Sequence, residues 1–229
     1  VIPKGVENIF SIAVALDQSG RLANTIICKG KTIFILNNEA TVLFRFEAPG
    51  LFSFDQEVRL KANDYEPGSL VERNGKVIFT REGAEFIRTK SCRAPGKSFK
   101  EVQALWDRYW GESESTFFIN STSLSLLEES LSHLEIGAKG GSLKIVQRNI
   151  FTGTTITLTR KPSEETLLGN LDQISQDFGP VGIRTSDFQA LFYYFDQLEF
   201  HVPKDRQGYF QVRAWSEAFE MKAIIAWCL

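Results

Sequence analysis

The chain has 229 residues, 43% hydrophobic and 24% charged, with a formal net charge of −2 at pH 7. This is the balance of a soluble globular protein, and the 19 Phe and 4 Trp can fill a substantial core. No apolar run approaches a membrane span, which excludes a helical membrane protein. The opening "VIPKGVENIF" lacks a signal peptide's basic start and unbroken apolar stretch, and begins without Met, as a processed or trimmed chain would. Cys28, Cys92 and Cys228 are far apart and form no C-x-x-C pair, which points to a reducing compartment and away from structural zinc. The length admits one large domain or two of moderate size.

In chain order, "KGVENIFSIAVALDQSG" reads as a helix with Val6, Ile9, Phe10, Ala13 and Leu16 on one side. Strands follow at "LANTIICKG", "TIFILNN" and "TVLFRFEA", then at "EVRLKA", "KVIFTR" and "AEFIRTK". Between "EVRLKA" and "KVIFTR", "NDYEPGS" reads as a turn or a very short helix.

The next stretch, "RTKSCRAPGKSFKEV", imitates a phosphate-binding loop, with Gly96, Lys97 and Ser98 matching the last three positions of G-x-x-x-x-G-K-[ST]. Ser91 stands where the first glycine belongs, and Pro95 removes an N–H from the arc that would hold phosphate. The strand before it alternates, as a half-exposed antiparallel strand does, instead of running apolar. The stretch is expected to be an inter-domain linker leading into a helix over "SFKEVQALWDRYW".

The second half holds an internal repeat. From Thr116 to Lys161 a strand "TFFI", a helix from Ser121 or Thr122 through Leu124, Leu127 and Leu131, and strands at "LEIGAK", "SLKIVQR" and "TTITLTR" give the order β-α-β-β-β. From Gly179 to Leu229 the order recurs: "VGIR", a Ser186–Asp187 cap, a helix with Phe188, Leu191, Phe192 and Phe195, then "LEFHVP", "YFQVRAW" and "FEMKAIIAW". The first half is a fainter copy whose second unit has lost its helix. The expected fold is α+β, with residues 1–93 as one domain, 94–115 as a linker with a helix, and 116–229 as a second domain.

Four such units in two similar domains resemble the DNA sliding clamps, specifically the two-domain type of eukaryotes, archaea and some phages. The resemblance covers nearly the whole chain and lies in the repeat pattern, not in a short motif. It implies antiparallel sheets outside and helices facing a central hole. It also implies a homotrimeric ring closed by strand pairing, in which "AEFIRTK" of one copy meets "TTITLTR" of the next. The implied activity is non-catalytic and needs no cofactor: a processivity factor that tethers a DNA polymerase or another replication protein to double-stranded DNA. Its place would be cytoplasmic, in the nucleoid or nuclear, with no membrane partner. Partner peptides of clamps dock near the inter-domain linker, where Trp106, Tyr109 and Trp110 fall in this sequence.

The helices of the second half carry no Lys or Arg, unlike those of clamps that face DNA. Positive charge gathers instead in Arg73, Lys76, Arg81, Arg88, Lys90, Arg93, Lys97 and Lys100, against only Glu82 and Glu85. This block is the expected DNA-binding surface. It also admits a monomeric clamp-fold accessory that binds nucleic acid by one basic face, or a structural viral protein. A phosphate-handling enzyme using Lys97 and Ser98 is the reading from another class. His133 and His201 have no Cys or carboxylate pair beside them in sequence, and "Asp177-Phe178-Gly179" lacks the other motifs of a kinase.

Overall fold

A computed structural model describes residues 9–10, 12–13, 25–36, 41–47, 57–61, 70–73, 76–81, 84–86, 97–122, 127–128, 131–149, 152–160, 177–192, 194–204, 208–217 and 219–227. The chain divides into two compact units, Val1–Tyr109 with Trp215–Lys222, and Trp110–Ala214 with Ala223–Leu229.

In the first unit β1 (Thr25–Lys29), β2 (Thr32–Leu36) and β3 (Val42–Glu47) form an antiparallel meander, and β4 (Val58–Lys61) adds to the free side of β1. Gly30, at φ 57°, makes the tight β1–β2 turn that a residue with a Cβ would resist. Side chains alternate across a strand, and the register sets which ones share a face. Ile27 opposes Phe34 and Phe34 opposes Arg45, so these three line one side of the sheet. Cys28, Ile33 and Phe46 belong to the other side and are fully buried. Ile9, Phe10 and Ala13 are helical and buried, as the apolar spacing near the start of the chain predicts; Ile12 is buried as well, and Val6 and Leu16 lie outside the described residues. A second sheet has the order β5-β6-β7, from β5 (Leu70–Arg73), β6 (Lys76–Arg81) and β7 (Ala84–Phe86). Sequence reasoning misses β5, because "LVER" is short and follows directly on the Pro-Gly-Ser turn.

The helix α1 (Phe99–Tyr109) lies where the pattern places it. Ser98 and Glu101 form a capping box: the Ser98 N–H and hydroxyl donate to Glu101 Oε2 at 2.6 and 2.7 Å, and the Glu101 N–H donates back to Ser98 Oγ at 3.3 Å. The Gln103 amide donates to Asp107 one turn on, at 2.7 Å. Val102 and Trp106, four apart, are buried on one stripe.

The second unit has two sheets. One has the order β15-β14-β13-β8, from β8 (Ser113–Asn120), β13 (Gln197–Pro203), β14 (Tyr209–Trp215) and β15 (Glu220–Ala226). The other has the order β11-β10-β9-β12, from β9 (His133–Lys139), β10 (Ser142–Arg148), β11 (Thr155–Arg160) and β12 (Phe178–Arg184). Their facing sides meet through aromatic rings. Phe117 lies 5.2 Å from Phe200 and 5.6 Å from Phe178, and Phe210 lies 5.8 Å from Phe178, centroid to centroid. The helix α2 (Thr185–Leu191) sets Phe188 against Phe200 at 5.9 Å.

The repeat is less regular than its sequence. Leu127 and Glu128, inside the helix expected from Ser121 to Leu131, are not helical. The reason is the fully buried Gln147, whose side-chain amide accepts from the Glu128 N–H and donates to the Glu128 carbonyl, both at 2.8 Å. Those two backbone groups, which a helix would use in its own ladder, are bonded to a neighbouring strand instead. The expected Ser186–Asp187 cap also differs. Arg184 is the N-cap and has no side-chain capping bond, while Asp187 is buried inside the first turn.

Candidate nucleic-acid interface

The register separates much of what the sequence places together. Arg73 and Lys76 are cross-strand partners at one end of the β5–β6 hairpin. Arg81 pairs with Ala84 at the other end of β6, five residues or about 17 Å from Lys76, and the odd spacing puts the two positions on opposite faces. Lys97 and Lys100 are exposed where α1 begins. Arg88, Lys90 and Arg93 lie outside the described residues. The described part of the block is thus two hairpin ends and a helix start.

The phosphate-loop imitation is accounted for by chemistry. The Ser98 groups that would greet a phosphate are bonded to Glu101, whose carboxyl they hold below the usual carboxylate range. An anion would have to displace a carboxylate already seated there. The Asp177-Phe178-Gly179 tripeptide is structural too. Asp177 Oδ1 accepts from the Gly140 N–H at 2.8 Å and so holds the β9–β10 turn, Phe178 is in the aromatic core, and Gly179 has φ 75°. Among the described residues no group of His, Cys, Asp and Glu is arranged to hold a metal ion. Burial pushes the Cys28 thiol up, so it stays protonated and unreactive.

The three aromatics near the end of α1 have different settings. Trp106 is 2% exposed and packs 6.1 Å from Phe34, with the Arg45 guanidinium 5.6 Å from its ring. Arg45 is in turn held by Glu47 at 2.7 Å. Tyr109 and Trp110 are half-buried; Arg108 lies over the first and Arg213 over the second. α1 therefore covers the Phe34 side of the β1–β3 sheet through Trp106.

The two histidines also differ. His133 is exposed beside Ser132, whereas His201 is buried in the middle of β13. Its Nδ1 is 3.1 Å from Ser113 Oγ and 3.4 Å from Thr116 Oγ1. Its Nε2 is 3.2 Å from Glu199 Oε2 without hydrogen-bond alignment, so that contact is electrostatic. Burial depresses the His201 pKa below 6.5, Glu199 opposes this, and Arg213 on the next strand adds to it. The unfolded chain then binds the proton more readily than the folded one, so stability falls as pH drops below about 6.5. His201→Gln should flatten that part of the stability–pH curve, which thermal melts of both proteins between pH 7.5 and 5 would measure. Parallel curves would contradict it.

No protein-family model matches the sequence, and no curated protein does. Solved structures do match the fold. The Helicobacter pylori beta clamp, in its complex with 3,4-difluorobenzamide, aligns at TM-score 0.65 and 8% identity, covering 100% of this chain and 65% of that one. The chain thus spans 65% of that clamp's length. Proliferating Cellular Nuclear Antigen from Entamoeba histolytica aligns at TM-score 0.54 and 12% identity, over 97% of this chain and 96% of that one. The PCNA2–PCNA3 complex from Sulfolobus tokodaii gives TM-score 0.54 and 13% identity over 95% and 96%. The sheets, the aromatic core between them and these likenesses over nearly the full length agree: the chain has the fold of the DNA sliding clamps.

Proposed function

We propose that the protein is a non-catalytic, clamp-like accessory factor of DNA replication that holds a polymerase or another replication protein close to double-stranded DNA. The observation that carries this reading is the sliding-clamp fold itself over the whole chain. Two sheet edges suit assembly. Among the described residues β7 ends the three-stranded sheet and β11 ends the four-stranded one, the positions where an added strand would pair. Pairing β7 of one copy with β11 of the next is a head-to-tail contact that closes into a ring of three. A closed ring turns dissociation of its cargo into a tethered re-encounter at high effective concentration. The capping box at Ser98 speaks against phosphate chemistry in the linker and so for a role without catalysis.

The basic block from Arg73 to Lys100 is assigned to DNA contact on charge. Replacing Arg81, Arg88 and Lys90 with Glu should weaken association with a duplex at low salt, read by fluorescence anisotropy. Unchanged binding would remove the block as the contact. A single-copy factor that binds nucleic acid on one basic face is the second reading, favoured by the absence of Lys and Arg between Thr185 and Asp196 around α2.

A further inference from the structure

The four-stranded sheet of the second unit has an outward face that sequence spacing hides. Ladder pairs run from β11 across β10 to β9: Thr159 opposes Lys144, which opposes Gly137, and Thr157 opposes Val146, which opposes Glu135. At one end Thr155 opposes Arg148, and on the far side of β9 His133 opposes Arg184. Lys139 lies at the other end, opposite Ser142. All these positions share one face, because Leu134, Ile136, Leu143, Ile145 and Gln147 alternate with them and are buried. Gln147 also reaches Thr185 at the start of α2, at 3.4 Å, so the helix begins on the opposite side of the sheet from the cations.

Lys139, Lys144 and Arg148 are exposed and Arg184 is half-buried. Among the described residues one carboxylate stands on the face with these four, Glu135, which meets Arg148 at 3.3 Å, with Asp177 at the rim beside the Gly140 turn. Such an exposed pair contributes little and gives way to a stronger anion. Between the cations the described positions are Thr, Ser, Gly, a single Val, Glu135 and His133. Two strand spacings across and six residues along, from the Lys139–Ser142 pair to Arg148, make the charged area about 10 Å by 20 Å, as long as about six base-pair steps of a duplex.

We propose that this face is a phosphate-binding surface that holds duplex DNA by its backbone, without reading sequence and separately from the Arg73–Lys100 block. Charge complementarity names a polyanion. The absence of Phe, Tyr and Trp among the described residues of this face argues against single strands, which bind largely by stacking on large aromatics. The same absence argues against an acidic protein partner, since protein interfaces rely on buried aromatic anchors. Hydroxyls and backbone groups beside the cations are the usual positioning contacts to phosphate. The inference needs no ring, because one chain presents the whole face.

The test is binding of the full chain to a 20-base-pair duplex over a range of salt, comparing wild type with Lys139→Glu/Lys144→Glu/Arg148→Glu. These side chains are exposed, so the variant keeps the wild-type melting temperature. Its affinity at 0.1 M salt should drop by about tenfold or more, and the slope of log K against log salt should shrink by about 2 to 3. Equal affinity and slope would overturn the proposal even if the block variant loses binding. Polyglutamate that binds wild type as tightly as duplex of equal charge would overturn the assignment to DNA. A chain that is monomeric yet shows the loss supports this surface while counting against the ring.

Discussion

Trp106→Ala should lower the stability of the first unit by about 3–5 kcal/mol, the usual result of emptying a large aromatic site in a core. The indole is 2% exposed, and on α1 only Val102 is buried with it. An 11-residue helix is marginal on its own, so its order depends on this anchor. Removing the ring also strips one side of the Arg45 site, leaving the guanidinium to Phe34, 5.8 Å away, and Glu47. Urea unfolding would give the size of the loss, and amide exchange over residues 99–109 would show whether α1 lifts from the sheet. Trp106→Phe, which keeps a ring there, should recover much of it. A change below about 1 kcal/mol with α1 still protected would show that the helix is held by something other than this packing.

Gly179→Ala should destabilise the second unit by about 2–4 kcal/mol. The residue has φ 75°, a left-handed conformation that a Cβ disfavours, and that Cβ would lie 2.7 Å from the Ile136 carbonyl oxygen and 3.0 Å from Gly137 Cα. Neither neighbour is a flexible side-chain end. Both belong to β9, so relief means spreading β9 from β12 just where Phe178 enters the aromatic core. Gly153→Ala separates the two contributions. Its φ is 71°, but nothing lies within 4 Å of the new Cβ, so it bears only the conformational part, about 1–2 kcal/mol. Equal losses for the two variants would mean that the close approach of β9 is unimportant.

Much of the fold is legible in the sequence because its signals are local. Alternation in "SLKIVQR" and "YFQVRAW" marks β10 and β14, and the Ser98–Glu101 spacing with Val102 and Trp106 marks the start and buried stripe of α1. What fails depends on distant partners. The leucines after Thr122 have helical spacing, but Gln147, nineteen residues beyond Glu128, captures that backbone first. Asp187 looks like a surface cap and is buried. The candidate site shows the same limit more strongly. A count along the chain finds the Arg73–Lys100 block, yet strand register parts Lys76 from Arg81. The same rule of alternate faces gathers Lys139, Lys144, Arg148 and Arg184 from three strands whose sequence looks unremarkably charged.

Ring formation is the claim on which the proposed tethering rests, and solution mass measured by light scattering over a range of protein concentrations tests it most directly. The proposed pairing of β7 with β11, in the three-copy ring that the resemblance to two-domain clamps implies, predicts a trimer of about 78 kDa, three times the 25.9 kDa chain, that persists on dilution. A mass that stays at that of one chain at every concentration would contradict ring closure.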